Sequence, residues 1–180
     1  ILAELERWFG GKYPYDKLDL VAVPEFWAGA MENPGLITFA DDLLLPGERP
    51  TAGQLRRLIQ VTAHELAHIW FGDLVTMAWW DDLWLNESFA DWLGDKTTDR
   101  LRPDLGTGRA ELGEIDALMT ADSRPSAEPV RQPDADPEAM MQAVGLAYAK
   151  GKAVLGMVEG WLGEETFRRG VHGYLAAHAW

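Results

Sequence analysis

The period of the apolar positions changes near residue 50. Before it, Leu2, Leu5, Trp8 and Phe9 recur at helical spacing, and Gly10-Gly11 closes that short helix. Leu18-Asp19-Leu20-Val21-Ala22-Val23 reads as a strand stopped by Pro24, and Gly35-Leu36-Ile37-Thr38-Phe39-Ala40 as a second. Asp41-Asp42 reads as a turn into a third strand, Leu43-Leu44-Leu45, followed by a loop at Pro46-Gly47-Glu48-Arg49-Pro50.

After residue 50 the pattern is helical. Thr51 and Gln54 form a capping box. The helix it opens should run to about Phe71, with Gly72 ending it. Leu55, Leu58, Ile59, Thr62, Leu66 and Ile69 make its apolar stripe. The Trp79, Trp80 and Trp84 cluster is expected in the core, with room for one ring at a pocket. Further helices are expected over Leu85–Lys96, Gly108–Thr120, Gly145–Leu162 and Glu165–His178. Pro125, Pro129, Pro133 and Pro137 make 122–138 an extended loop. Strands first and helices afterwards give an α+β domain, a small N-terminal sheet packed on a mainly helical layer. Residues 1–50 supply the sheet portion and 51–180 the helical portion.

Charge and composition narrow the partners. Lys plus Arg number 16 and Asp plus Glu 29, a net charge of −13. That excess disfavours nucleic acid and anionic membranes. With no Cys, thiolate metal sites and cysteine nucleophiles are excluded. No apolar run approaches the roughly 18 residues of a membrane span. No targeting segment is evident, which places the chain in the cytoplasm by default. A start at Ile1 and a stop at Trp180 within a helical pattern suggest a piece of a longer protein.

His64-Glu65-Leu66-Ala67-His68 is the main chemical signal. On a helix the two His lie about 40° apart, so both imidazoles can reach one ion. Glu65 lies about 100° from His64 and about 60° from His68, on the same side. A chance match to this pattern has an expectation of about 0.007 in this chain. Catalytic zinc takes three protein ligands and leaves a position for water. Glu87, opening the next helix after 18 intervening residues, completes a His, His, Glu set. The helix dipole also favours a Glu there, and both roles can hold at once.

The sequence then resembles a known family. H-E-x-x-H, eighteen residues and a Glu within Trp84-Leu85-Asn86-Glu87-Ser88-Phe89-Ala90 resemble the M1 zinc aminopeptidases, a gluzincin group. Gly29-Ala30-Met31-Glu32-Asn33 matches the G-A-M-E-N exopeptidase motif, and Tyr148-Ala149-Lys150-Gly151 the Y-x-K-G segment. The four motifs occur in the family's order across nearly the whole chain. Ala78 and Ala149 depart from residues common there, without touching a ligand or an acid/base group.

The resemblance implies a thermolysin-like zinc-peptidase catalytic domain. Its missing flanking domains would be a β-rich one before it and a helical one after. It implies one Zn2+ on His64, His68 and Glu87, and peptide substrates with a free N-terminus. Glu65 would take a proton from water and deliver it to the leaving amine. Tyr148 would donate to the oxyanion; by itself it reads rather as a helix tyrosine with its ring in the core. Glu32 would pair the α-ammonium, with Gly29, Ala30 and Met31 lying beside the substrate like an added strand. By itself that string reads as a turn with a solvated Glu.

Asp91, one turn after Glu87, is a candidate partner for a zinc-bound His. Asp73, Asp81 and Asp82 are expected as caps or surface charges, and His172 and His178 as structural or exposed. Two other readings stand beside the aminopeptidase: a gluzincin endopeptidase, and an isolated domain of weak catalysis serving as a binding module.

Overall fold

The computed structural model describes residues 1–110, 112–127, 129–131 and 137–180, without the side chains of residues 114, 137–144, 146 and 147. Helix α1 (Leu2–Phe9) ends at Gly10 in the left-handed conformation. Strands β1 (Asp19–Val23), β2 (Ala30–Met31) and β3 (Leu36–Ala40) form one sheet in the order β1-β3-β2. β1 runs parallel to β3 with Asp19 opposite Leu36, and β2 runs antiparallel with Met31 opposite Thr38. β2 thus lies at an edge of the sheet.

The expected third strand is instead a helical turn, α2 (Asp41–Leu44). Leu favours helix over strand, and Asp41 and Asp42 suit a helix N-terminus, with the Asp42 amide donating to Asp41 Oδ1. The remaining helices are α3 (Ala52–His68), α4 (Leu83–Leu101), α5 (Thr107–Ala110), α6 (Leu112–Asp122), α7 (Pro137–Leu162) and α8 (Glu164–His178).

The capping box at Thr51 and Gln54 is present in both directions. α3 stops at His68 rather than Phe71. The chain then leaves the helix through wide turns, with the amides of Asp73, Leu74 and Val75 donating to the carbonyls of His68, Ile69 and Trp70. α7 starts at Pro137, earlier than expected, because a proline is well suited to a helix's first turn, where its missing N–H costs nothing. Of the expected loop, residues 123–127 and 129–131 are turns or coil where described, and 128 and 132–136 lie outside the described residues.

The core joins all layers. Leu5, Trp8 and Phe9 of α1, Ile37 and Phe39 of β3, Leu66 and Trp70 at α3, and Phe89 and Leu93 of α4 are buried together. Aromatic packing dominates: the Phe71 and Phe89 rings stack at 4.1 Å and those of Phe9 and Trp70 at 4.8 Å. Trp79 and Trp80 are not in this core but exposed; the core tryptophans are Trp8, Trp70 and Trp92.

Two glycines let the helices approach closely enough to build a site. A Cβ on Gly94 of α4 would lie 3.1 Å from the Gln60 carbonyl and 3.3 Å from the His64 amide of α3. A Cβ on Gly151 of α7 would overlap the Ser88 side chain and lie 2.8 Å from the Trp84 ring. α4 is therefore held against the turn of α3 that carries His64, and α7 against the turn of α4 that carries Glu87.

Candidate metal centre and its cavity

α3 presents His64, Glu65 and His68 on one side because they lie within a little over one helical turn. α4 brings Glu87 to them. His64 Nε2 and His68 Nε2 are 3.0 Å apart, and Glu87 Oε2 is 3.3 Å from the first and 3.2 Å from the second. These three atoms are the group of potential metal ligands among the described residues.

Hydrogen bonds behind the imidazoles fix which nitrogens face inward. His64 Nδ1 lies 3.2 Å from Asp91 Oδ1, and His68 Nδ1 lies 3.3 Å from the Phe71 carbonyl. Both acceptors need a proton on Nδ1, which leaves the Nε2 lone pairs aimed at the triangle. Two lone pairs and a carboxylate oxygen facing one another suit a shared cation, either a metal ion or the protons it displaces. Ligand atoms around a tetrahedral zinc ion lie about 3.3–3.5 Å apart, close to the edges of this triangle. The donor set therefore fits a metal of this kind.

The same crowding shapes the protonation of these groups. Burial opposes charge on His64, yet the carboxylates of Asp91 and Glu87 raise its pKa to about 10. His68 is buried too, and Glu87 also pushes it upward. Burial works against a charged Glu87, but hydrogen bonds from both imidazoles hold it well below the carboxylate range. Glu65 is 5% exposed. Burial raises its pKa to about 7, against the pull of His64 and His68. A carboxylate at that value can both take and return a proton near neutral pH.

Glu32 follows β2 and stands beside the triangle, its Oε1 4.0 Å from His68 Nδ1. Gly29, with a φ of 81°, leads into β2, where Ala30 and Met31 pair with β3. From α7 the ring of Tyr148 lies parallel to that of His64, at 6.1 Å and 9°. Burial, then the charges of Glu87, Asp91 and Glu32, push its hydroxyl far above the usual phenol range, so it is available only as a proton-bearing donor.

All these side chains line one cavity of about 1680 Å³. That exceeds the roughly 300–1,000 Å³ usual for small-ligand sites and leaves room for an extended chain.

Asp73 differs from its expected surface role. It lines the cavity with Oδ2 buried and unpartnered. Burial, with Glu32 nearby, raises its pKa to about 6. Asp82 occupies the position before α4, and Arg131 pairs with both Asp81 and Asp82. Trp80 is exposed and lines the cavity. His172 bonds the Trp8 carbonyl at 2.7 Å, and His178 is exposed.

A mixed α/β domain with convergent His, His and Glu donors inside a long cavity defines a candidate mononuclear metal site. A family model described as the peptidase family M1 domain matches residues 1–180, and the chain belongs to that family.

Named relatives are similar over nearly all of it. Aminopeptidase 2 of Candida albicans (strain SC5314 / ATCC MYA-2876) is 43% identical over 97% of this chain and 19% of its own length. Leucyl aminopeptidase of Saccharolobus solfataricus (strain ATCC 35092 / DSM 1617 / JCM 11322 / P2) is 42% identical over 94% of the chain and 22% of its own. Tricorn protease-interacting factor F2 of Thermoplasma volcanium (strain ATCC 51530 / DSM 4299 / JCM 9571 / NBRC 15438 / GSS1) is 40% identical over 97% and 23%. The chain spans about a fifth of the length of these relatives. No helix among the described residues is long and apolar enough to cross a membrane.

Proposed function

We propose that this chain is the catalytic part of a zinc-dependent aminopeptidase with a thermolysin-like domain, acting on peptides with a free N-terminus. The observation that carries this reading is the triangle of His64, His68 and Glu87 donors sharing a cavity with Glu65 and Glu32. Membership of peptidase family M1 and relatives named aminopeptidases support it.

A zinc ion held by His64, His68 and Glu87 would supply Lewis acidity toward a scissile carbonyl and lower the pKa of water. Glu65 accepts the proton of the attacking water and returns it to the departing amine, as its raised pKa allows. Tyr148 donates its hydroxyl proton in a hydrogen bond to the oxygen on which negative charge grows. Glu32 pairs the substrate's α-ammonium and so places the first peptide bond, rather than an internal one, at the centre. β2, as an edge strand, offers backbone groups along which a substrate can lie extended.

Flanking domains complete the enzyme in this reading. Val154, Met157, Val158, Trp161 and Leu162 form an exposed apolar stripe on α7 suited to such a neighbour. That stripe favours one secondary reading, in which the isolated domain binds metal but turns over slowly. The test is metal analysis together with a panel of aminoacyl chromogens, on this chain and on the complete polypeptide. One zinc per chain with hydrolysis of free but not N-acetylated substrates supports the proposal. Equal cleavage of N-acetylated peptides points instead to an endopeptidase.

A further inference from the structure

One face of α3 forms the floor of the cavity. Arg57, Gln60, Val61, His64, Glu65 and His68 all line it. Their spacing, i, i+3, i+4, i+7, i+8 and i+11, is that of a single helical stripe. At 1.5 Å per residue the stripe runs about 16 Å from Arg57 to His68. Glu32 stands beside His68, at the C-terminal end of this stripe. Arg57 lies at the opposite end, about 10 Å along the helix axis beyond His64. Along this stripe an anion, Glu32, thus stands beside one end and a cation, Arg57, at the other, with the ligand triangle nearer the anion; Asp95, which bonds Gln60 at 2.8 Å, also lines the Arg57 half.

The cations among the described cavity-lining residues are Arg57, Lys150 and Lys152. Lys150 pairs with Asp122 and Lys152 with Asp95. Arg57 is exposed and has no hydrogen bond or ion pair among the described residues. It is the cation left to meet an anion arriving in the cleft. A guanidinium presents a planar fork matched to a carboxylate.

We infer that Arg57 receives the C-terminal carboxylate of short peptides, so that the site takes oligopeptides of about three to five residues from end to end. The inference rests on the reading of Glu32 as the receptor for the N-terminus. The length follows from the span: an extended residue covers about 3.3 Å, so 16 Å holds about five residues. The long Arg57 side chain can reach back along the stripe to a shorter peptide. Longer peptides carry their terminal carboxylate past Arg57 and gain nothing from it.

The test uses the complete polypeptide and peptides of two to eight residues, each as a free acid and as a C-terminal amide. The acid is expected to be preferred in kcat/KM about three- to tenfold at three to five residues, mainly through KM. The preference should fade at eight residues and at high salt, where an exposed pair is screened. Arg57→Gln brings the acid/amide ratio toward one, and Arg57→Lys keeps part of it.

A second pair, one free and one N-acetylated peptide, is run in Arg57→Gln and in Glu32→Gln. Arg57→Gln should leave the free/acetylated ratio as in the wild type, whereas Glu32→Gln should shrink it. A ratio insensitive to Glu32→Gln overturns the peptide's orientation, and the inference with it. An acid/amide ratio of one in the wild type, or one unaltered by Arg57→Gln while Glu32 behaves as expected, overturns Arg57 alone.

Discussion

Asp91 Oδ1 sits 3.2 Å from His64 Nδ1, so a carboxylate one turn beyond Glu87 governs the imidazole that Glu87 also faces. Asp91 therefore orients His64 without reaching the triangle itself. Asp91→Asn should weaken zinc binding by about 10–100-fold, the usual cost of losing such a partner. Competition against a chromogenic chelator measures this, and an unchanged dissociation constant removes Asp91 from the metal site.

Glu65→Gln should retain zinc and lose most turnover. The amide has nearly the shape of the acid but cannot accept the water's proton. Metal content by elemental analysis and kcat on an aminoacyl chromogen, measured on the same sample, test both halves. Near-normal kcat would reassign the base.

Tyr148→Phe should lower kcat with a smaller effect on KM, because its hydrogen bond strengthens only as charge develops on the substrate oxygen. Zinc affinity should not change, since the ring that stacks on His64 remains. A KM effect with kcat intact would make Tyr148 a binding residue only.

Glu32→Gln should reduce kcat/KM on free-amine substrates by roughly 10–150-fold, the range for losing a charge-assisted hydrogen bond of about 1.5–3 kcal/mol. KM should rise, and kcat should fall if the ammonium also aligns the carbonyl. Steady-state kinetics on a free and N-acetylated pair read this. An unchanged ratio would move exopeptidase specificity outside this chain.

Metal uptake should release protons. In the metal-free protein the pKa of His64 is raised to about 10, so at pH 8 it carries a proton that a metal must displace. Calorimetric titration in two buffers of different ionisation enthalpy should show release of at least about one proton per metal. The same shift sets a stability trend. Its folded pKa lies above the unfolded value of about 6.5, so its contribution is fully present below pH 6.5 and lost as pH rises through about 10. The Tm of the metal-free protein should therefore drift down over that window. Buffer-independent binding heats would show that His64 is neutral before the metal arrives.

The convergence of the candidate donors was legible because a helix has a fixed register, which places His64, Glu65 and His68 on one side. Asp91 was legible as a candidate for the same reason, four residues beyond Glu87. What depends on distant segments was not. β2 is two residues long, too short for any alternation to mark it, and exists because β3 offers it partners. The triple leucine after Asp41-Asp42 has no period that separates strand from helix, and the local preference of the acids won. Asp73 carries no sequence sign of burial; its setting comes first from that burial and then from the charge of Glu32, forty-one residues earlier. Arg57 was within reach of the same helical arithmetic as the histidines, seven residues before His64, but only the cavity shows which face matters. The contacts at Gly94 and Gly151 are invisible until the helices cross.

The metal donors come from two packed helices, while Glu32 follows an edge strand and meets them only beside His68. In the proposed reading, chemistry and the choice of which end of a peptide to accept thus rest on separate segments of the chain. Changes around residues 29–33 can retune that choice while α3 and α4 keep their sequence. On that reading, loss of the strand's register would relax the choice while leaving the donors of α3 and α4 in place. The selectivity of such a scaffold would then be its more evolvable half.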